Sequence, residues 1–265
     1  MKKNIIVLLM LLLISFEIKA QKGSERTDNL IDLVNPLVGS DSEFDLSNGN
    51  TYPAIATPWG MNFWTPQTGK MGNGWGYTYD ATKILGFKQT HQPSPWINDY
   101  AAFSLFPETG KIIISEDERG SWFSHKNETS KPHYYKVYLA NYDVTTEITP
   151  TERGAQFQFT FPESDESHIL IDGFFKNSMV KVYPKERKVV GYCRNNSGGV
   201  PDNFHNYFVI YFDKDFENIQ TWNSNKSQTL DNNNLSSELV AEGYHVGAVL
   251  SFKTKDNEKV TAKVA

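Results

Sequence analysis

The sequence predicts an all-β protein, built as one large antiparallel β-sandwich. Three observations carry that prediction. Short runs rich in β-branched and aromatic residues follow one another with turn signals between them. No stretch of helical period is long enough to form a stable amphipathic helix. The length left after an N-terminal leader is ordinary for a single β domain.

The leader occupies residues 1–20. Lys2 and Lys3 form a positive start, Ile5 to Phe16 an apolar run, and Ile18-Lys19-Ala20 a small-residue cleavage site. The apolar run is too short to favour a permanent span. Gln21, not cysteine, stands directly after the cleavage site, so a bacterial lipid anchor is not indicated. An exported protein, periplasmic or extracellular in a bacterium, is expected, with residues 21–265 forming the β-sandwich.

The strands then come in order. Gly86-Phe-Lys-Gln-Thr90 reads as a strand. Tyr100 to Phe106 leads through Pro107-Glu-Thr-Gly110 into Lys111-Ile-Ile-Ile-Ser115, which predicts a hairpin. Tyr134–Leu139 and Val144–Thr149 flank the turn Asn141-Tyr-Asp143. Gln156-Phe-Gln-Phe-Thr-Phe161 alternates strictly, with its aromatics on one face. His168–Asp172, Val189–Tyr192, Tyr207–Phe212 and His245–Phe252 continue the series. Asp80 to Ile84 suits one helical turn, and Ser224–Ser237, rich in Asn and Ser, a loose loop. Glu258 to Ala265 alternates like a strand up to its final residue, the pattern of a fragment cut from a longer chain.

Charge excludes some partners. Cleavage after Ala20 removes three of the 26 Lys and Arg and one of the 31 Asp and Glu, leaving 23 against 30 and a net charge of −7. Mild acidity without a basic stripe argues against nucleic acid and against an anionic membrane surface. Only Cys193 is present, so no intramolecular disulfide forms and the core must supply the stability. Its place in Val189-Val-Gly-Tyr-Cys193 marks a buried structural thiol.

Standard catalytic signatures are missing, with neither a G-x-S-x-G elbow nor an H-E-x-x-H pair. Gly72-Asn-Gly-Trp-Gly76 lacks dinucleotide spacing. Asp41 to Asn50 has oxygens suited to calcium, but Leu46 stands where the binding loop needs glycine and Tyr52 where it needs glutamate, so an ordinary polar loop is expected. Trp64 and Trp122 are expected in the core. Trp75, in a glycine-rich turn, and Trp96, between prolines, are less natural core residues.

The segment His91-Gln-Pro-Ser-Pro-Trp-Ile-Asn-Asp-Tyr100 is a fixed loop, because two prolines bar a helix interior and remove two ladder donors. An indole beside an amide and a carboxylate (Trp96, Asn98, Asp99) can stack on a sugar's C–H face and bond its hydroxyls. Asp99 equally suits the cap of a local turn. His91 suits a structural hydrogen bond or a ligand. Asp99, Glu108, Glu147 and Asp172 are all carboxylates of interest, but no spacing selects the pair that glycoside hydrolysis requires.

Several blocks together resemble glycoside hydrolase family 92. They are Val34-Asn-Pro-Leu-Val-Gly39, Asn50-Thr-Tyr-Pro-Ala54, Thr57-Pro-Trp-Gly-Met61, Gly86 to His91, Ser94 to Tyr100, Phe123-Ser-His-Lys-Asn-Glu128, Tyr134 to Leu139 and Thr146 to Arg153. The resemblance implies exo-acting, calcium-dependent, inverting α-mannosidases of two domains, an N-terminal β-sandwich and a C-terminal helical (α/α)6 barrel. It implies that acid, base and calcium ligands come mainly from the barrel, which this chain lacks. Trp75, His91, Trp96, Asn98 and Asp99 would then bind the substrate side of a shared pocket, in an exported α-1,2-mannosidase-like enzyme acting on mannose-containing glycans such as N-glycans. Ala54 departs from the family's usual Tyr-Pro-Gly, which puts close backbone approach to the sugar in question. Two other readings stay open: a stand-alone secreted carbohydrate-binding sandwich, and a structural half whose apolar face needs the barrel.

Overall fold

The structure is a computed structural model, and it describes residues 30–41, 51–69, 76–91, 102–196, 198–226 and 229–265. The chain divides into two units, Met1–Val34 and Asn35–Ala265. The described part of the first is a single 3-10 turn, Leu30–Leu33. The second contains every described strand.

The strands begin with β1 (Phe63–Gln67), β2 (Lys83–Ile84), β3 (Gly86–Thr90), β4 (Ser104–Thr109), β5 (Ser121–Trp122) and β6 (Glu128–Lys131). Next come β7 (Tyr134–Leu139), β8 (Val144–Pro150), β9 (Ala155–Phe161), β10 (Ser164–Asp172), β11 (Ser178–Tyr183) and β12 (Lys188–Cys193). The series closes with β13 (Asn206–Phe212), β14 (Asn218–Ser224), β15 (Leu235–Ser236), β16 (Val240–Gly243), β17 (His245–Thr254) and β18 (Glu258–Val264). They form a seven-stranded sheet, β1-β3-β4-β10-β17-β14-β15, and a nine-stranded sheet, β16-β11-β12-β13-β18-β9-β8-β7-β6. β2 and β5 make a separate two-stranded ribbon. All pairings are antiparallel.

Side-chain alternation decides how the two large sheets meet. In β9 the inward Phe157, Phe159 and Phe161 are buried while Gln156 is exposed. Trp64 of β1 packs edge-on against Phe157, with ring centroids 5.1 Å apart, and against Phe103 at 5.7 Å. Phe103 stacks on Phe208 of β13 at 4.2 Å, and Phe212 meets Phe252 of β17 at 6.1 Å. These contacts cross between the sheets, so the two form a sandwich around one core. Each buried phenylalanine contributes about 1.5–3 kcal/mol from removal of apolar surface from water. One cross-strand site demands glycine: a Cβ on Gly247 would lie 2.0 Å from the indole of Trp222, its partner on β14.

Along β3, β4, β10 and β17 the seven-stranded sheet is buried on both faces over most of its length. Its inner side chains fill the core. Its outer ones include Lys88, Ser104, Glu108, His168 and Asp172, all buried. The chain from Lys111 to Ser121 helps cover them, and this explains why the expected hairpin does not form. β4 runs on through Pro107 to Thr109 and pairs with β10, while residues 112–115 take no strand. Pro107 lies past the short ladder with β3, which ends at Leu105, so its missing N–H is tolerated on that side. The Ile113 N–H donates to the Glu108 carboxylate rather than to a strand.

Three further expectations are corrected. Trp122 is half exposed, because its ribbon stands apart from the main sheets, and the Lys83 ammonium lies 5.1 Å above its ring. Asp80–Ile84 makes no helical turn: a bend closed by the Ala81 N–H on the Thr78 carbonyl feeds directly into β2. Within Ser224–Ser237, Asn232–Asn234 form a 3-10 turn held by a capping box, in which the Asp231 side chain and that of Asn234 each satisfy a backbone N–H of the other end. Elsewhere Asn141–Asp143 turns as expected, with Asp143 at φ 54 and Leu139 opposite Val144. Cys193 is buried, and burial pushes its thiol pKa well up, as an inert structural role requires.

Candidate functional site

Register gathers a set of connections at one end of the sandwich. β3 leaves the sheet there at Thr90, opposite Phe63, and β4 enters at Ser104, opposite Asp172. In the other sheet the β8–β9 turn lies at that end, where the Met61 N–H donates to the Glu152 carbonyl at 2.7 Å. Residues 173–177, 194–196 and 198–205 border it, since Ser178, Cys193 and Asn206 are paired across three strands. Sandwich ends are where loops can vary without disturbing the core.

His91 leaves β3 at this end and is partly buried. Trp75, Trp96, Asn98 and Asp99 lie outside the described residues, as do Ser42–Asn50 of the suspected calcium loop. Their flanks are described and firmly held. Ala102 is clamped by buried Asn195, whose Oδ1 accepts from the Ala102 N–H at 2.9 Å and whose Nδ2 donates to its carbonyl at 2.8 Å. Before His91, Gln89 Oε1 accepts from Asn206 Nδ2 at 2.9 Å. Gly76, just after Trp75, lies against Thr65 and Lys88, and its carbonyl accepts from the Thr68 N–H at 2.8 Å.

Tyr77 and Tyr79 follow Gly76, Tyr77 bonded to Glu128 and Tyr79 held through His125. The Glu128 carboxylate accepts from the Tyr135 hydroxyl at 2.6 Å and the Tyr77 hydroxyl at 3.2 Å, and lies 2.5 Å from His125 Nδ1. The His125 ring stacks on Tyr79 at 4.0 Å with 1° between planes. Backbone strain marks the end of the sandwich at which β3 leaves and β4 enters. Phe174, Lys176 and Asn177 take φ of 61°, 68° and 74°, and Trp59 takes 63° in a turn where its side chain is 98% exposed. Left-handed backbone at a bulky residue is uncommon and is retained only where its surroundings over-determine it.

Beneath residues 173–177 lies a buried ion cluster. Asp172 Oδ2 accepts from Arg119 Nη1 at 2.8 Å, and Oδ1 lies 2.8 Å from His245 Nε2 and accepts from the Phe174 N–H at 2.9 Å. Burial alone would raise the Asp172 pKa, but His245 and Arg119 outweigh it and hold the carboxyl down at about 2. The other carboxylates of interest sit apart from this cluster's bonds. Glu147 points outward on the nine-stranded sheet, accepting from Tyr134 at 2.5 Å and Gln158 at 2.5 Å. Glu108 is fully buried; the Ile113 N–H donates to its Oε2 at 3.0 Å, and its Oε1 has no hydrogen-bond partner among the described residues. No two of the described three are joined as an acid–base pair.

Burial pushes the Glu108 carboxyl up to about 8, against the weaker opposing pull of the Ile113 N–H and Arg119. A raised folded pKa contributes stability that is full below the unfolded value and lost as pH rises through the folded one. Unfolding midpoints in urea should therefore fall from about pH 5 to about pH 8, and Glu108→Gln should flatten that slope. Parallel slopes in both proteins would show that another group is responsible.

Neither Asn195 nor the Arg119–Asp172–His245 cluster stands out as a site in the sequence. An Asp closing the apolar run His168-Ile-Leu-Ile-Asp172 does signal a buried carboxylate in need of partners. Those partners lie 53 and 73 residues away, and nothing local announces them.

Residues 33–265 match the family model described as the glycosyl hydrolase family 92 N-terminal domain. The chain belongs to glycosyl hydrolase family 92, as its N-terminal domain. Its fold is similar to that of an inverting mannosidase of the family from Bacteroides thetaiotaomicron, with 42% identity and a TM-score of 0.81 over 89% of this chain and 31% of that one. A second α-mannosidase of the family from the same organism shows 30% identity and a TM-score of 0.74, over 89% of this chain and 32% of that one. A protein of Arthroderma benhamiae described as an uncharacterized secreted glycosidase is 23% identical over 144 residues, 52% of this chain and 18% of its own length. The chain thus spans about a third of the length of the two solved mannosidases.

Proposed function

We propose that this chain is the substrate-shaping, carbohydrate-binding domain of an exported inverting α-mannosidase that removes terminal mannose, α-1,2-linked in the first instance, from glycans such as N-glycans. The observation that carries the reading is the match over residues 33–265, joined to 42% identity with a protein named as an inverting mannosidase. The leader at residues 1–20 supports export. In this reading Trp75, His91, Trp96, Asn98 and Asp99 line the sugar side of a pocket completed by a C-terminal helical domain. The aromatic rings stack on the sugar, and the amide and carboxylate orient its hydroxyls.

Catalytic acid, base and calcium belong to that helical domain. Among the described residues no group of three or more His, Cys, Asp or Glu is placed to hold a metal ion. The domain's part is positioning, which supplies rate by holding the substrate in reactive geometry.

The test uses the enzyme with its helical domain present, assayed on α-1,2-mannobiose. Alanine at Trp75, Trp96 or Asp99 should lower kcat/KM by roughly 5- to 30-fold, as for other anchoring contacts of about 1–2 kcal/mol. Unchanged kinetics on alanine replacement at each of Trp75, His91, Trp96, Asn98 and Asp99 would refute the assignment.

A further inference from the structure

The outward face of the nine-stranded sheet is not uniform. Over β7, β8 and β9 it carries Tyr134, Lys136, Tyr138, Thr145, Glu147, Thr149, Gln156 and Gln158, with the Tyr134 hydroxyl bonded to Glu147 and that of Tyr138 to Asp143. Over β12 and β13 it changes character. Phe208, Ile210 and Phe212 point into the core, so Tyr207, Val209 and Tyr211 point out. Tyr207 is 71% exposed and Tyr211 48% exposed. Tyr192 of β12 stands directly opposite Tyr207, with ring centroids 6.0 Å apart.

Here the rings are arranged, not merely scattered. His205, just before β13, stacks on Tyr207, with 21° between the ring planes and centroids 5.6 Å apart. Tyr192 meets His205 edge-on at 4.6 Å and forms a wall beside it. Two hydrogen bonds hold the set: the Tyr192 hydroxyl donates to Glu242 Oε1 at 2.6 Å, and His205 Nδ1 lies 2.7 Å from the Asn203 carbonyl. Tyr207 and Tyr211 are four residues apart on one face of a strand, about 13 Å along it. Val209 lies between them as an apolar floor.

We propose that Tyr192, His205, Tyr207, Val209, Tyr211 and Glu242 form a second glycan-binding surface, one that takes two or more pyranose units of a mannose-rich chain on the flat face of the sheet. The chemistry matches on both sides. A pyranose presents an apolar C–H face to an aromatic ring and equatorial hydroxyls to its rim, and this surface offers exposed ring faces rimmed by a phenol and a carboxylate. Tyrosine gives broad amphipathic contact at low entropic cost. The surface lies on strands rather than on the loops of the proposed substrate pocket, and it would hold a polymer near the enzyme without touching the reacting bond.

Affinity electrophoresis of the whole chain in gels containing soluble α-mannan tests this, with sedimentation of each variant alongside. Tyr207→Ala and Tyr211→Ala should each weaken retardation by roughly 2- to 10-fold, while Tyr207→Phe, which keeps the ring, should bind like the parent. Trp96→Ala should leave the tyrosine-dependent retardation in place, which separates this surface from the loop pocket whether or not that pocket binds. An unretarded parent, tyrosine variants bound like the parent, or retardation abolished by Trp96→Ala alone would each overturn the proposal. So would tyrosine variants that change self-association and leave mannan binding intact, since the face would then dock protein. If Tyr207→Ala fails to fold, Tyr211→Ala decides.

Discussion

Replacing Arg119 with methionine is expected to lower stability by about 3–5 kcal/mol, the usual consequence of removing one partner from a buried charge pair. Arg119 is fully buried and Asp172 is 1% exposed. Without the guanidinium, the carboxylate keeps only His245 and the Phe174 N–H. Arg119 also fixes the covering segment, since its Nε donates to the Leu85 carbonyl at 2.8 Å and its own carbonyl accepts from the Tyr142 hydroxyl at 2.7 Å. The matched double replacement Arg119→Met with Asp172→Leu should recover part of the loss, because it removes the stranded charge as well. Urea unfolding of the three proteins decides the matter. A single-mutant cost below about 1 kcal/mol would rank the pair with exposed ones. The pH dependence has the opposite sense to that of Glu108. A depressed carboxylate pKa contributes stability that is complete above about pH 4 and disappears as pH falls towards 2.

Asn195→Ala is expected to cost about 2–4 kcal/mol, as it strands two buried backbone groups of Ala102 at once. Its further consequence falls on function. Ala102 is the first described residue after the segment that carries Trp96, Asn98 and Asp99, and Asn195 reaches it across 93 positions of sequence. With the clamp gone, kcat/KM for mannobiose should fall even at temperatures where the fold persists. Asn195→Asp, which keeps the acceptor and loses the donor, should fall between the parent and Ala. Full activity in a folded Asn195→Ala protein would show that the clamp serves stability alone.

Much of the sandwich is legible in the sequence because the nine-stranded sheet has one dry face and one wet one. Strict alternation in Gln156–Phe161 and in Glu258–Val264 gives both the strand and its orientation. The seven-stranded sheet is harder to read, since along β3, β4, β10 and β17 it is covered on both sides over most of its length and those strands carry no such alternation. There Lys111–Ser115 looks like the second arm of a hairpin, and only the tertiary cover explains why it is not. Trp122 misleads for a related reason: an indole on a two-residue strand has no sheet to bury it. Of the candidate substrate residues, His91 is placed at the loop end of the sandwich. The clamp that serves its neighbours is non-local, joining residues that no sequence window contains.

The position of β18 has a kinetic consequence. It lies between β9 and β13 and is the sole join between the two halves of the nine-stranded sheet. Strands β6–β9 can pair as a local meander soon after they are made, and β11–β13 likewise. Neither half is sealed to the other until residues 258–264 have been synthesised and inserted, some hundred positions after Phe161, the partner of Glu258. Closure of so long a loop is entropically slow and leaves two open sheet edges waiting in the meantime. The nascent domain is therefore most vulnerable to wrong edge pairing shortly before its final strand arrives.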